Sequence, residues 1–349
     1  GEPKPGIANP PQYGADRPER GYLPSLGLSN RATEEEEVEE VVDGFPNDET
    51  SSPEKEILQL PTERDLGVTS LWPETRKLFG HHYEIVCLAS AATENGEMMV
   101  ASACKARDVE NAAIRIFDIQ TGECLQVLKG GHKSTVATLS FSSDTNYLIS
   151  AGKDRRLCLW RRGARGQWHL ASAVNSAHKR IIWSAHFCPH DARLFATGAR
   201  DGAVKIWRIC EAAEGAGGDG GDSISVETKE VCKFEPSRSS MGGKDKPAVT
   251  AIAFAPASLS GSSDGDEKRA MLAIGMETGT IELWSVSLDE TSEAAGSRFL
   301  YAIPSNLCHI ATVKRLAFRP YDGSENITLA SCGMDYGVRI FSIRAHKKI

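Results

Sequence analysis

Short apolar segments separated by turn residues recur along most of the chain. Residues 181–187, 194–197 and 204–207 are such segments, and Pro, His, Asp and Gly lie in the turns between them. Short apolar runs bounded by turn residues predict a meander of antiparallel β-strands. The preceding stretch repeats the arrangement and adds a fourth predicted strand, with segments at residues 136–141, 147–150, 157–160 and 168–174.

Four residue types recur at fixed spacing among these predicted strands. A His lies 18 or 19 residues before a hydroxyl residue, an Asp follows the hydroxyl by four, and a Trp follows the Asp by six. The unit repeats every 46 to 47 residues, and such a period indicates an array of identical modules. Four-stranded modules stacked around an axis form a β-propeller. The two complete copies are His132, Ser150, Asp154 and Trp160, and His178, Thr197, Asp201 and Trp207.

These four side chains can close a hydrogen-bonded network, which we call the tetrad. The His ring can donate to the Asp carboxylate and bond the hydroxyl with its other nitrogen, while the indole N–H donates to the same hydroxyl. Such a network satisfies polar atoms that burial would leave without partners, so it predicts a packing role. Ser, His and Asp also form catalytic triads, but a triad needs an exposed nucleophile, and here the set occurs twice. We therefore expect no catalysis.

The same template finds further copies toward both ends of the chain. The C-terminal copy keeps His309, Ser331 and Asp335, with Phe341 in place of Trp. The N-terminal copy has His81, Ser102 and Phe117, but the segment between Ser102 and Phe117 is five residues longer than its counterpart, so residues 105–112 are predicted to form an enlarged loop.

One predicted blade lacks the tetrad. Residues 249–254, 271–274 and 280–284 predict strands, but Ile274 and Thr278 replace the hydroxyl and the carboxylate. We expect the five blades at about residues 81–130, 131–175, 178–234, 248–303 and 309–349.

The repeated pattern resembles the WD-repeat family of β-propellers over residues 80–343. The connecting segments are further similar to the second propeller of the Elongator subunit 2 family. They are residues 26–30 (LGLSN), 71–74 (LWPE), 77–81 (KLFGH), 101–105 (ASACK) and 180–183 (RIIW).

This resemblance implies an all-β WD-repeat propeller that acts as a non-catalytic scaffold. Its partners would be other Elongator subunits, namely the catalytic acetyltransferase-like subunit and the large scaffold subunit. The implied role is in modification of wobble uridines of tRNA, with a link to transcription elongation by RNA polymerase II, in the cytoplasm and the nucleus. We expect no cofactor, no metal and no small-molecule substrate.

The blade count is open from the sequence. The chain after Phe341 is too short for a fourth strand in the last blade. Residues 75–79 could close a five-bladed ring by pairing with that blade. Alternatively, as the resemblance favours, the five blades belong to a seven-bladed ring, and residues 75–79 finish a preceding blade. The chain would then be an open arc with unpaired edge strands.

Charge is distributed unevenly along the chain. Residues 1–70 hold 16 acidic and 6 basic side chains, a net −10, whereas the whole chain has a net −7, so the remainder has a net +3. The acidic, Pro-rich leader with few aromatic residues predicts disorder, either as a linker or as a regulatory tail. Residues 211–222, rich in Gly, and 258–268 predict two flexible inserts.

Basic residues fall at equivalent positions of neighbouring predicted blades. Lys153 and Arg200 each precede the tetrad Asp, Arg155 follows Asp154, and Arg180 lies two residues after His178. These turns share one face of a propeller, so Lys153, Arg155, Arg180 and Arg200 should form a basic surface. Such a surface can bind an acidic protein, RNA including tRNA, or a phosphoprotein. The alternative is that these side chains only keep the surface soluble.

Other features favour a soluble intracellular protein. No stretch approaches the 18 apolar residues of a membrane span, and the leader has no secretory signal pattern. Nine cysteines at least 17 residues apart indicate reduced thiols rather than a zinc site. His186, Cys188 and His190 alternate as metal ligands can, but Pro189 and Asp191 predict a turn that breaks the alternation.

Overall fold

The computed structural model describes residues 77–93, 96–213, 224–236, 246–258, 269–288, 296–320 and 326–344. Within these ranges the chain forms strands and turns and contains no helix, so none of the described segments could cross a membrane as a helix. All of these residues except Lys77 belong to a compact unit that begins at Leu78.

In the described residues, nineteen strands form five antiparallel sheets, and within each sheet every strand pairs with the next along the chain. Blade A contains β1 (Ile85–Ala92), β2 (Met98–Cys104), β3 (Ile114–Asp118) and β4 (Cys124–Leu128). Blade B contains β5 (Val136–Phe141), β6 (Tyr147–Gly152), β7 (Leu157–Arg162) and β8 (Trp168–Val174). Blade C contains β9 (Ile182–Cys188), β10 (Asp191–Ala199), β11 (Val204–Ala213) and β12 (Ile224–Phe234). Blade D contains β13 (Val249–Ser258), β14 (Arg269–Met276), β15 (Ile281–Ser287) and β16 (Ser297–Ala302), and blade E contains β17 (Val313–Phe318), β18 (Asn326–Gly333) and β19 (Val338–Arg344).

The predicted all-β WD-repeat propeller is confirmed, with one difference in strand number. Blades A to D have four strands, and blade E has three within the described residues. The closing strand predicted at residues 75–79 is not observed in its described part, because residues 77–79 form no strand, and residues 75 and 76 lie outside the described residues. The seven-bladed ring stays a prediction.

The core lies between neighbouring blades, since each sheet packs its face against the next. Every residue of β6 is buried, because blades A and C cover it from both sides, whereas the outer strand β8 is partly exposed. Ile149 and Leu159 of blade B pack against Phe187 and Phe195 of blade C. Burial on both faces explains why these strands are continuous apolar runs rather than alternating ones.

Side-chain hydroxyls also join the innermost strands of neighbouring blades. The Ala185 N–H of β9 donates to Thr138 Oγ1 of β5 over 3.1 Å, and the Ile252 N–H of β13 donates to Ser184 Oγ of β9 over 3.0 Å. These bonds satisfy backbone groups that face the next blade and fix the rotation from one blade to the next.

The outward faces of the first and last blades expose apolar side chains. Leu88 on β1 is 64% exposed, and Val338 and Ile340 on β19 are 72% and 73% exposed. Neighbouring blades cover the corresponding faces of blades B, C and D.

The enlarged loop lies between β2 and β3, as predicted from the spacing. One predicted insert begins later than expected, because β11 continues through residues 211–213. Glu211 is held there by Tyr147, whose hydroxyl donates to it, and by Arg193, whose Nη2 lies 2.9 Å from its carboxylate. Residues 214–222 and 259–268 of the two inserts, and the leader at residues 1–70, lie outside the described residues.

Candidate interaction face

The blade B tetrad ties the loop that enters the blade to the turn between β6 and β7. His132 Nδ1 lies 3.2 and 3.1 Å from the two carboxylate oxygens of Asp154, and His132 Nε2 lies 2.8 Å from Ser150 Oγ. The Trp160 indole N–H donates to the same Oγ over 2.9 Å. Ser150 is completely buried, so its hydroxyl cannot meet a substrate as a catalytic nucleophile would.

Blade C repeats this geometry with a threonine hydroxyl. His178 Nδ1 lies 3.3 Å from each carboxylate oxygen of Asp201, and His178 Nε2 lies 2.8 Å from Thr197 Oγ1. The Trp207 indole N–H donates to Thr197 Oγ1 over 2.8 Å. Thr197 is also fully buried.

Blade E keeps three members of the tetrad and adds an arginine that the sequence pattern did not reveal. His309 lies 2.8 Å from both Asp335 Oδ1 and Ser331 Oγ. Phe341 packs against the core shared with blade D, and its ring has no hydrogen-bond donor. Arg339 Nη1 instead donates to Asp335 Oδ2 over 2.9 Å. The spacing of four residues between Asp335 and Arg339 is the sequence feature that could have indicated this contact.

Blade D lacks the tetrad, as the substitutions at Ile274 and Thr278 predict, but it keeps a partner for its tryptophan. The Trp284 indole N–H donates to Glu282 Oε2 over 2.9 Å, and Glu282 is buried. A carboxylate two residues before the Trp thus replaces the hydroxyl. Sequence reasoning missed this pair, because a charged residue inside an apolar strand resembles an exposed position.

The charge state of the blade B tetrad makes its stability depend on pH. Burial has the largest single effect and opposes protonation of His132, but the hydrogen bonds and charges of Asp154 and Cys158 together outweigh it and raise the pKa of the ring to about 9. A folded-state pKa above the unfolded value of 6.5 stabilises the protein fully below pH 6.5, and this contribution is lost as the pH rises through 9.

We therefore expect wild type to lose more stability than a His132→Gln variant between pH 6.5 and 9.5, by up to about 3 kcal/mol. Urea unfolding at several pH values measures the difference between the two proteins. A gap that is constant with pH would show that the ring is neutral in the folded protein.

A shared main-chain hydrogen bond identifies equivalent positions in all five blades. In blades B, C and E, the residue just before the tetrad Asp donates its main-chain N–H to the carbonyl of the residue just before the first strand of the same blade. In blades A and D, which lack the tetrad Asp, the residue at the corresponding position makes the same bond. In blade B, for example, Lys153 N donates to Thr135 O over 3.0 Å. We call this bonded turn the tip of the blade. The other four donors are Lys105, Arg200, Glu277 and Met334, at 2.8 to 3.0 Å.

Tips of adjacent blades contact one another and form one face. Ala106 N of blade A donates to Thr135 Oγ1 of blade B over 3.1 Å. Arg155 O of blade B accepts from Ala177 N, which enters blade C, over 3.0 Å. Thr312 Oγ1 of blade E donates to Glu277 O of blade D over 3.1 Å. The predicted basic residues therefore occupy one face, on a backbone fixed by hydrogen bonds.

The tips of blades B and C are cationic. Lys153, Arg155, Arg180 and Arg200 are all exposed there, and two further exposed lysines, Lys133 and Lys179, follow the tetrad histidines. We call these six residues the basic face. None of them forms an ion pair with a carboxylate of the described ranges, so their charges are open to a partner.

The tip of blade E is apolar at the same three positions, which sequence reasoning missed. Ile310, Met334 and Tyr336 correspond to Lys133, Lys153 and Arg155, and they are 88%, 55% and 101% exposed. The spacing around His309 and Asp335 would have located them. The face thus changes from cationic on blades B and C to apolar on blade E.

Two of the tip residues adopt a left-handed backbone that glycine normally occupies. Arg155 and Tyr336 have φ of 64° and 57°, whereas the equivalent positions of blades C and D are Gly202 and Gly279, with φ of 75° and 88°. A side chain costs about 1 kcal/mol in this conformation. The two strained residues are therefore held in place by the surrounding hydrogen-bonded turns.

The histidines weighed as metal ligands instead bond blade D. His186 Nδ1 accepts from Phe254 N–H over 3.3 Å, and His190 lies 3.2 Å from Ala255 O. Burial lowers the pKa of His186 to about 4, so the ring is neutral. No group of three metal-ligating side chains occurs in the described part of the chain.

Comparison with known proteins agrees with this architecture. The family model of the WD domain, G-beta repeat, matches residues 122–161 and 171–208, which lie in and around blades B and C. A chain in the crystal structure of the mitotic checkpoint complex superposes with a TM-score of 0.52 at 21% identity, covering 78% of this chain and 67% of that chain. This likeness concerns the fold alone.

Curated relatives match nearly the whole chain. Elongator complex protein 2 of Drosophila melanogaster is 34% identical over 337 residues, which cover 94% of this chain and 38% of that protein. Elongator complex protein 2 of Schizosaccharomyces pombe is 31% identical over 333 residues, which cover 93% of this chain and 38% of that protein. The chain therefore contains WD repeats and is similar, over nearly its whole length, to somewhat less than half of Elongator complex protein 2.

Proposed function

We propose that this chain is a non-catalytic scaffold subunit of the Elongator complex that acts in the cytoplasm and the nucleus. In this role it supports modification of wobble uridines of tRNA and is linked to transcription elongation by RNA polymerase II. The similarity to Elongator complex protein 2 of fly and fission yeast supports the assignment to the complex. The catalytic and large scaffold subunits are the proposed partners.

The observation that carries the proposal is the basic face. Six exposed cations without ion pairs to described carboxylates stand on turns that backbone hydrogen bonds hold in place. Rigid, unpaired charges bind a partner at a small entropic cost, because their backbone is already ordered. Acidic segments of another protein would supply the opposite charge.

The apolar tip of blade E favours a protein as the partner of this face. Ile310, Met334 and Tyr336 project into solvent with most of their surface exposed. Exposed apolar and aromatic side chains on a rigid turn are typical anchors of protein interfaces. They offer nothing to a phosphate backbone.

A non-catalytic role is supported by the tetrads themselves. The hydroxyl, imidazole and carboxylate groups that could form a triad bond one another in the interior, with Ser150, Thr197 and Ser331 all buried. Their arrangement holds tips to entering loops and presents no reactive atom to solvent.

The second candidate is an RNA or phosphoprotein reader that uses the basic face directly. The unpaired lysines and arginines favour it, because phosphate groups bind such cations. The tips of blades B and C carry no aromatic residue on which a base could stack, so such binding would read phosphates rather than sequence.

Charge reversal tests the two functions against each other. We expect the triple variant Arg155→Glu, Arg180→Glu, Arg200→Glu of the full chain to lose co-purification of Elongator subunits, while its affinity for tRNA stays unchanged. Affinity capture with mass spectrometry and a tRNA binding titration measure the two outcomes. Lys229→Glu, Lys233→Glu, Arg298→Glu is the matched control, because these exposed cations lie on the outer strands β12 and β16.

Loss of tRNA affinity with intact assembly would favour the reader. If both triple variants captured Elongator subunits equally well, the basic face would not be part of the interface. A wild-type partner list without Elongator subunits would overturn the scaffold assignment itself.

A further inference from the structure

The tetrad of blade A has no carboxylate. Its His81 and Ser102 are in place, with His81 Nε2 2.7 Å from Ser102 Oγ. The residue at the Asp position is Ala106, because Lys105 directly before it makes the tip hydrogen bond to Glu84 O, as Lys153 before Asp154 does in blade B. In blades B, C and E the same ring directs Nδ1 to a carboxylate. His81 Nδ1 has no such partner among the described residues.

A cavity opens beside the His81 ring. Two cavities of about 150 and 320 Å³ are both lined by His81 and His82, and residues of the enlarged loop line each of them. Arg115 and Lys129 line the smaller cavity, and Lys105 and Arg107 line the larger one. In blade B, the Asp154 carboxylate lies on the Nδ1 side of the tetrad ring and accepts the Lys133 N–H.

The cavity carries excess positive charge. Neither Arg107, Arg115 nor Lys129 forms an ion pair with a described carboxylate. Arg107 instead lies over the Tyr83 ring at 5.2 Å. Burial, then the charges of Arg115 and His82, hold the pKa of His81 below its usual range.

Two carboxylates of the same region already have partners. Glu84 pairs with Lys105 at 3.2 Å, and Asp108 accepts two hydrogen bonds from Asn111 within the enlarged loop, each at 2.8 Å. Glu110 lines the smaller cavity and is exposed. None of these described carboxylates bonds His81 Nδ1, since the ring's hydrogen bond to Ser102 uses Nε2.

We propose that blade A binds the carboxylate of an external acidic side chain in the place that the tetrad Asp occupies in blades B, C and E. The bound carboxylate would accept from His81 Nδ1–H and from the Arg115 guanidinium, completing the tetrad with a group from another molecule. The surrounding cavity would hold the residues next to the acidic one. The ligand class is an acidic peptide segment, and the shared chemistry is a carboxylate.

Imidazole NMR of the full chain tests the inference. The probe is the tripeptide Gly-Asp-Gly with both termini blocked. Gly-Asn-Gly, blocked in the same way, is the uncharged control, and sodium acetate supplies a free carboxylate. We expect the Asp peptide to shift the His81 Nδ1 resonance and to raise the pKa of His81, and the Asn peptide to do neither. If acetate saturates the site and the Asp peptide binds no more tightly than acetate, the site is also supported. Its ligand is then a small carboxylate.

Two variants and one control sharpen the test. Arg115→Gln is expected to weaken binding of the Asp peptide by about tenfold or more, because a charge-assisted contact is lost. Arg165→Gln is the control, since Arg165 is exposed on the outer turn of blade B and should leave binding unchanged. Ala106→Asp supplies the missing carboxylate from within, so it should abolish the peptide response and raise the His81 pKa in the free protein.

Three results would overturn the proposal. They are an equal response to the Asp and Asn peptides, peptide binding that survives Ala106→Asp, and a His81 pKa already raised in wild type without ligand. The last result would mean that the chain itself fills the site.

Discussion

Replacing Asp154 with alanine is expected to lower the free energy of unfolding by about 3 kcal/mol. The carboxylate accepts hydrogen bonds from the His132 ring, from Lys133 N–H at 2.9 Å and from Arg156 N–H at 3.1 Å. Without it, the buried His132 loses its counter-charge and the tip of blade B loses its connection to the entering loop. Urea unfolding followed by circular dichroism measures the loss.

The matched control is Thr278→Ala. Thr278 occupies the same tip position in blade D, is exposed and bonds Thr280 Oγ1 at 2.9 Å. Because no histidine network depends on it, its loss should change the free energy of unfolding by less than about 0.5 kcal/mol. Similar losses in the two variants would mean that the turn, rather than the tetrad, carries the stability.

Gly279→Ala is expected to destabilise the protein by about 4 kcal/mol, through a contact between blades D and E. Gly279 has φ of 88°, and a Cβ there would lie 2.0 Å from the backbone oxygen of His309. The main chain of blade E must move to make room, and His309 belongs to the blade E tetrad. Thermal and urea unfolding of the variant measure the cost.

Gly130→Ala separates the cost of the backbone conformation from that of the collision. Gly130 has φ of 84°, and a Cβ there would meet nothing within 4 Å. Only the left-handed strain remains, so we expect a loss of about 1 kcal/mol. If Gly279→Ala cost no more than Gly130→Ala, the tip of blade D would not support blade E.

The sequence was sufficient for the strands of blades B and C because their repeats are regular. β5 and β8 begin and end at the residues that the apolar runs predict, and the tetrad spacing predicts which turns meet which loops. Strands such as β11 extend further than predicted, because Tyr147 and Arg193 from other strands hold Glu211 in place. Contacts of that kind depend on the register between strands, which the amino-acid sequence alone does not specify.

The functional residues were likewise predictable where they follow from the regular repeat and not where they depend on contacts between strands. The cations of the basic face lie at equivalent positions of the repeat, and Ile310, Met334 and Tyr336 lie at those positions in blade E. The Arg339–Asp335 contact and the Glu282–Trp284 pair can be predicted only when it is known which side chains face each other across two strands. The cavity of blade A needs the path of the enlarged loop, which length alone does not give.

The tips are held by main-chain hydrogen bonds, whichever side chain they carry. Lys105, Lys153, Arg200, Glu277 and Met334 all make the same bond through their N–H groups. The fold thus separates the residues that must satisfy packing from those that are free to vary. A duplicated module of this kind can diverge in what it recognises, blade by blade, while its interior stays the same.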